Sequence, residues 1–241
     1  MRLVDLAPVI AATWPPAAVR TIGPFTVPTG AGGGQRVSAA RLTDPDATDA
    51  SEAEIDAALA AQADQGQAPL VMVQDHQTAL DVRLSARRFA IRDTTHAMIA
   101  PTATLAAHPP PVTCFATWPP LAIQTEIWAA AGVGPGRLAV MDRATGRKMS
   151  FFGRVDDKPA GTAFVAIHDG IAMLHALEIA PAQRRKGLGQ IMMRAAADWA
   201  QAEGAARFAI LVTGENQPAL GLYASLGFEA VGTYHYRSPQ A

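Results

Sequence analysis

A chain of 241 residues, 49% of them hydrophobic, can bury one large core or two small ones, and its bulk chemistry excludes a disordered protein. Lys plus Arg number 20 against 21 Asp plus Glu, so the chain lacks the electrostatic footprint of a nucleic-acid or membrane-surface binder, and any polyanion contact has to be local. The single cysteine, Cys114, excludes an internal disulfide and a cysteine-based zinc site; its run VTCFAT reads as a buried strand.

The opening MRLVDLAPVIAATWPP carries one early arginine, but Asp5 interrupts an apolar stretch too short and too mixed for a signal peptide. No run approaches the ~20 apolar residues of a membrane span. The expectation is a cytoplasmic protein with no membrane or nucleic-acid partner. TGAGGGQ, residues 29–35, lacks a lysine and a following helix pattern, and so reads as a flexible hairpin loop rather than a phosphate loop. In DASEAE, Ser51 and Glu54 have capping-box spacing. The Ala-rich helical stretch IDAALAAQADQG, the apolar strand PLVMVQ and a helix in HQTALDVRLSARRF follow. The Pro-rich residues 106–111 resist regular structure and read as a linker. Beyond it KMSFFGRV, GTAFVAIH and IAMLHALEI make an antiparallel meander with turns at Asp156-Asp157 and Asp169-Gly170. Ile191, Met192, Ala195, Trp199 and Ala202 then recur at helical spacing until Gly204, ahead of the strand FAILVT. This is α+β architecture, with helices packed on a mixed sheet.

The chain repeats itself. Gln77, Ala79, Leu80 and Ser85 match Gln217, Ala219, Leu220 and Ser225 at an offset of 140 positions, and after a one-residue slip Phe89, Thr94 and His96 match Phe228, Thr233 and His235. Each copy runs helix, strand, matched helix. Two halves are expected, 1–105 and 112–241. ATWPP also occurs twice, at 12–16 and 116–120, at a spacing that does not fit the other repeat.

The two copies start their Ala-rich helices differently. A helix begins with four backbone N–H groups that lack internal partners. In the first copy Ser51 and Glu54 consume them; in the second no Ser, Thr, Asp or Asn stands before the helix, and Gly187 and Gly189 stand there with Arg184, Arg185 and Lys186 alongside. Glycine admits a ligand close to the backbone, while the helix dipole and the cations favour negative charge, so a pyrophosphate suits this open start. The spacing is neither that of a dinucleotide fingerprint nor that of a P-loop. The bland reading is a solvated charge run on an ordinary loop.

LEIAPAQRRKGLG followed by ENQPALGLYASLGF resembles the GCN5-related N-acetyltransferase family. Arg184-x-x-Gly187-x-Gly189 falls on the family's acetyl-CoA loop, after Leu177, Ile179 and Pro181; Asn216, Ala219, Leu222, Tyr223, Gly227 and Phe228 fall on its second motif. The resemblance is tight over about 165–230. It implies a mixed, mainly antiparallel sheet flanked by helices in two related copies, the second catalytic and the first degenerate, with Arg83 where the second has Tyr223. It implies acetyl-CoA as co-substrate, no metal, and a small-molecule or peptide amine as acceptor, in a monomer or homodimer. Arg184, Arg185, Lys186, Gly187, Leu188, Gly189 and Gln190 would hold the pyrophosphate. Leu177, Glu178 and Ile179 would line the pantetheine, with the Ile179 amide as oxyanion donor and Asn216 bonding the arm. Tyr223 would be the general acid toward the sulfur.

The base is not carried over, because Met173 occupies the family's glutamate position. His175, two residues along on the same strand face, is the candidate; Glu178, by strict alternation, points to the opposite face. Trp128, Arg137, Arg143, Tyr234 and Tyr236 lie in the stretches where an acceptor would be chosen. An acyl-CoA sensor without turnover is the alternative, since that glutamate is missing. A nucleic-acid binder using the RRK cluster is disfavoured by the balanced charge.

Overall fold

The computed structural model describes residues 1–240. Its first half opens with α1 (Ala7–Thr13) and a three-stranded antiparallel sheet of β1 (Ala18–Ile22), β2 (Phe25–Thr29) and β3 (Arg41–Leu42). α2 (Glu52–Asp64) starts at the expected capping box: Ser51 Oγ accepts from the Glu54 amide at 3.3 Å, and the Glu54 carboxylate accepts from the Ser51 amide at 2.8 Å. β4 (Val71–Gln74), α3 (Thr78–Ala86), β5 (Phe89–Pro101) and the single turn α4 (Thr102–Leu105) follow.

The second half runs β6 (Cys114–Thr117), α5 (Ala122–Ala130), α6 (Pro135–Arg143), then the meander β7 (Lys148–Val155), β8 (Lys158–His168) and β9 (Ile171–Ile179). Both expected turns are present, with positive φ at Asp156, Asp157, Asp169 and Gly170. α7 (Leu188–Ala202), β10 (Arg207–Thr213), α8 (Gln217–Ser225) and β11 (Glu229–Pro239) complete the chain. β6 is an edge strand, so VTCFAT is half exposed rather than buried; burial nonetheless pushes the Cys114 thiol up to about 12.

Eight strands form one sheet in the order β4-β11-β5-β10-β9-β8-β7-β6, antiparallel except for β9 beside β10. This is the mixed, mainly antiparallel sheet expected, but the boundary at 106–111 does not divide it. β5, from the first half, lies between β10 and β11, pairing Arg207↔Pro101 through Thr213↔Thr95 on one side and Glu229↔Ile99 through Pro239↔Phe89 on the other. β11 in turn pairs with β4. The AMIA run, 97–100, is what permits this: Met98 and Ala100 face one core while Ala97 and Ile99 face another, as a strand buried on both faces requires.

The sequence repeat is visible in the ladders. Val71↔Arg237, Met72↔Tyr236 and Val73↔His235 join β4 to β11. Moved by the 140 positions separating Gln77 from Gln217, forward in β4 and back in β11, they become Leu211↔Ala97, Val212↔His96 and Thr213↔Thr95, which join β10 to β5. The end pair Glu229↔Ile99 likewise becomes Phe89↔Pro239. The ladders thus map onto one another about a local two-fold between β5 and β11, with the last strand of each half paired beside strands of the other.

One face of the sheet packs α7 through Leu174, Leu188, Met192, Phe208 and Ile210. The other carries Phe164 and Ala166 against Trp14, Trp128 and Met141. Both copies of ATWPP meet there, with Trp14 and Trp118 ring centroids 6.4 and 5.5 Å from Phe164.

Candidate active site

Parallel pairing of β9 with β10 stops at Ile210↔Leu174, so beyond Leu174 β9 runs on to Ile179 with no strand on that side. Where it leaves, it bulges: Ala176 has φ +48°, and against β8 the register passes from Phe164↔His175 to Thr162↔Glu178. Trp128 Nε1 donates to the Ala176 carbonyl at 2.8 Å and pins the kink. Because Phe164 and Thr162 are two apart on β8, the bulge puts His175 and Glu178 on one face. The expectation that Glu178 points away is thereby corrected; the extra residue cancels the alternation on which it rested. Ile179 sits beside Ala180, whose amide bonds Ala160 across the β8 ladder at 2.8 Å; alternation then turns the Ile179 N–H toward the open edge.

This splay forms one wall of a cleft of about 390 Å³, lined by Leu177, Glu178, Asn216 and Tyr223 among others. α7 begins where the loop that follows β9 ends, with Gly189 close to Leu222 of α8. Gly187 has φ +80°, open to glycine without strain, and no side chain caps the helix. The amides of Gly187, Leu188 and Gly189 have no protein acceptor among the described residues. Leu188 as a whole is buried at the start of α7, between the exposed Gly187 and the half-buried Gly189. The loop's cations are not equivalent: Arg184 Nε donates to the Ile179 carbonyl at 3.1 Å, and Lys186 Nζ pairs with Asp156 at 3.0 Å, while Arg185 and Gln190 stand exposed. Three free cations are therefore not what the loop offers.

Asn216 caps α8, its Oδ1 accepting from the Ala219 amide at 3.2 Å, which leaves the side-chain N–H₂ to donate into the cleft. Tyr223 packs on Phe228 at 5.7 Å, yet its hydroxyl has no protein partner among the described residues. Burial, and then the Glu178 charge, push its phenol up to about 12. Burial raises the Glu178 carboxyl above the usual range, against the opposing pull of Arg184 and Arg137.

His175 is engaged at both ring nitrogens. Thr13 Oγ1 spends its proton on the Val9 carbonyl at 2.7 Å, so it accepts at 3.0 Å from His175 Nε2, which therefore carries the hydrogen. Nδ1 is then the acceptor for Arg36 Nη1 at 3.2 Å. Burial first, and the Arg36 charge second, hold the imidazole well below its ordinary value. No lone pair is left for an incoming amine, so the geometry does not offer His175 as the base expected there.

Of the five acceptor-region residues, Arg137, Tyr234 and Tyr236 line the cleft; Trp128 is buried at the bulge, and Arg143 donates to the Pro15 carbonyl. Sequence reasoning missed Trp14, Gly33, Gly34, Arg36, Asp93 and Thr95, cleft residues supplied by the first half. The second ATWPP copy was the available signal for Trp14.

Residues 116–228 match the model of the acetyltransferase (GNAT) family. The uncharacterized N-acetyltransferase YobR of Bacillus subtilis is 35% identical over 88 residues, 36% of each chain. The curated relatives are matched over only 24% to 36% of their own length. Among solved structures, a GCN5-related N-acetyltransferase from Kribbella flavida has a TM-score of 0.76 at 19% identity, covering 99% of this chain and 96% of that one. A tandem GNAT protein from the clavulanic acid biosynthesis pathway has a TM-score of 0.62 at 14% identity, covering 99% and 89%. These last two likenesses are of fold, and they extend over both halves. Over residues 116–228, just under half of its length, this chain is similar to the acetyltransferase (GNAT) family.

Proposed function

We propose that the protein transfers an acetyl group from acetyl-CoA to a primary amine, with both halves contributing to a single cleft. The observation that carries this reading is the uncapped start of α7 at the end of the splay, with the open β9 edge and the Tyr223 hydroxyl in the same cleft. The free amides of 187–189 suit a pyrophosphate, and the β9 edge suits an arm that adds to it as a strand would. α2 has no such start, because Ser51 and Glu54 close it. One site per chain is expected.

The residues then divide the chemistry. Glu178 accepts a proton from the incoming ammonium, directly or through water, and the neutral amine attacks the thioester carbonyl carbon. The Ile179 amide donates to the oxyanion. As the C–S bond breaks and the amide forms, Tyr223 gives its proton to the departing thiolate, and the phenolate takes back, directly or through water, the proton that the amide nitrogen loses.

Gly187→Ala tests the loop. A left-handed φ costs an L-residue about 1–2 kcal/mol, so the helix start should move and acetyl-CoA should bind at least tenfold more weakly by calorimetry. Unchanged affinity would remove the pyrophosphate from this position. Glu178→Gln tests the base. A carboxyl held above the ordinary range is lost as a base when pH falls through its raised pKa, so kcat/KM of the parent should fall on the acid side at a pH above that of a solvated glutamate. In the variant that limb should vanish and the rate drop about 10²-fold. A limb that persists assigns the base elsewhere. Acetyl-CoA binding without thiol release, across a broad amine panel, would favour the sensor.

A further inference from the structure

Among the described residues Arg36 is a cation without an anion. It reaches the cleft from the Gly-rich loop of the first half, and that loop is not the flexible hairpin expected. A Cβ on Gly33 would lie 2.5 Å from Val140 Cγ2, and one on Gly136 2.4 Å from the Gly32 backbone, so the loop is packed directly on α6. Ser38 Oγ ties it back to the Gly34 carbonyl at 3.0 Å. The guanidinium is as firmly held: Nη1 bonds His175, the Trp14 ring centroid lies 6.0 Å from Cζ, and the phenols of Tyr234 and Tyr236 lie beside it. Its Nε is shut off from solvent and has no hydrogen-bond partner among the described residues.

The acids of the same cleft, Asp93 and Glu178, form no ion pair with it. A guanidinium cannot shed its charge, and even half-burying one without a counter-charge is unfavourable. Proteins carry that cost where a ligand supplies the missing charge. The chain Val9, Thr13, His175, Arg36 has every proton assigned and fixes the guanidinium's orientation, whereas a residue meant only for packing would have no use for it. Planar donors in a fork match a carboxylate in two-point contact.

We infer that the acceptor amine also bears a carboxylate, bound by Arg36, so that amino acids or their N-unblocked derivatives are the substrate class. The inference rests on the acetyltransferase reading and supplies its acceptor. Glu178 then meets the ammonium end and Arg36 the carboxylate end of a zwitterion in one cleft, with His175 as positioning residue.

The test pairs each proteinogenic amino acid, with β-alanine and 4-aminobutyrate, against its own carboxamide. Thiol release is followed with acetyl-CoA for the native protein, Arg36→Met and Arg36→Lys. At least one acid should exceed its amide in kcat/KM by about 10- to 100-fold, and Arg36→Met should bring that ratio near one with acetyl-CoA affinity unchanged. Arg36→Lys, which keeps charge but not the fork, should fall between. Amides that serve as well as acids, or a ratio that survives Arg36→Met in a folded variant, would overturn the inference while leaving the transferase intact. If no acceptor gives turnover, the transferase reading fails separately. At least one of the acids must then still raise the thermal midpoint of the CoA-bound native protein above that reached with its carboxamide, and not do so for Arg36→Met; no such shift also overturns the inference.

Discussion

Tyr223→Phe is expected to lower kcat by about 10²- to 10⁴-fold while leaving acetyl-CoA affinity within about twofold. The size follows from what the hydroxyl does and does not touch. The ring is packed on Phe228 and phenylalanine keeps that contact, so the fold should be unchanged to within roughly 0.5 kcal/mol. The hydroxyl makes no protein hydrogen bond among the described residues, so its removal orphans nothing. On the mechanism proposed above, what is lost is a proton for the departing thiolate. Because burial and the neighbouring Glu178 push the phenol up to about 12, it remains protonated throughout the accessible range, and the parent should show no basic limb from this group below about pH 10. Steady-state kinetics beside calorimetry decides the matter. An undiminished kcat returns Tyr223 to the core as a packing residue; a rise in Kd matching the fall in rate would make it a binding group.

The second large effect concerns the chain's division. Residues 112–241, expressed alone, should give no cooperative urea transition as a monomer. β10 would lose its ladder to β5, and β11 would lose both β5 and β4, detaching the last strand. Met98 and Ile99, each nearly inaccessible, would leave both cores open, and removing side chains of that size costs about 2–5 kcal/mol apiece. That already rivals the roughly 5–15 kcal/mol by which a domain is stable. The bared edges should drive self-association. Supplying residues 1–105 in trans should restore both the transition and acetyl-CoA binding. A monomeric 112–241 that unfolds cooperatively and binds acetyl-CoA would restore the two-domain reading.

What was legible in the sequence was local. The meander, the capping box at Ser51, the apolar stripe of α7 and the glycine start all follow from residues within a few positions of one another. The strand that completes the sheet did not. Residues 89–101 carry the polar run RDTTH ahead of AMIA, and their partners lie more than a hundred positions away, so no local period identifies them. Glu178 was put on the wrong face because alternation holds only for an unbroken strand, and nothing in HALEI announces the kink at Ala176 that Trp128 pins from another helix. Arg36 was missed for a related reason. A glycine run without lysine reads as a flexible hairpin loop, and the meeting of Arg36 with His175 depends on the whole sheet having closed.

The exchange of last strands has a consequence for how such a chain can change. Two separate identical subunits trading those strands would be bound to one sequence, so that any loss at one cleft would be a loss at both. Joined end to end, the copies are released from that identity. One can seal its helix start with a serine and a glutamate and turn its spare residues, Arg36 and Trp14 among them, to shaping its sibling's cleft. The sealed copy cannot be discarded afterwards, because the sibling no longer possesses a complete sheet of its own.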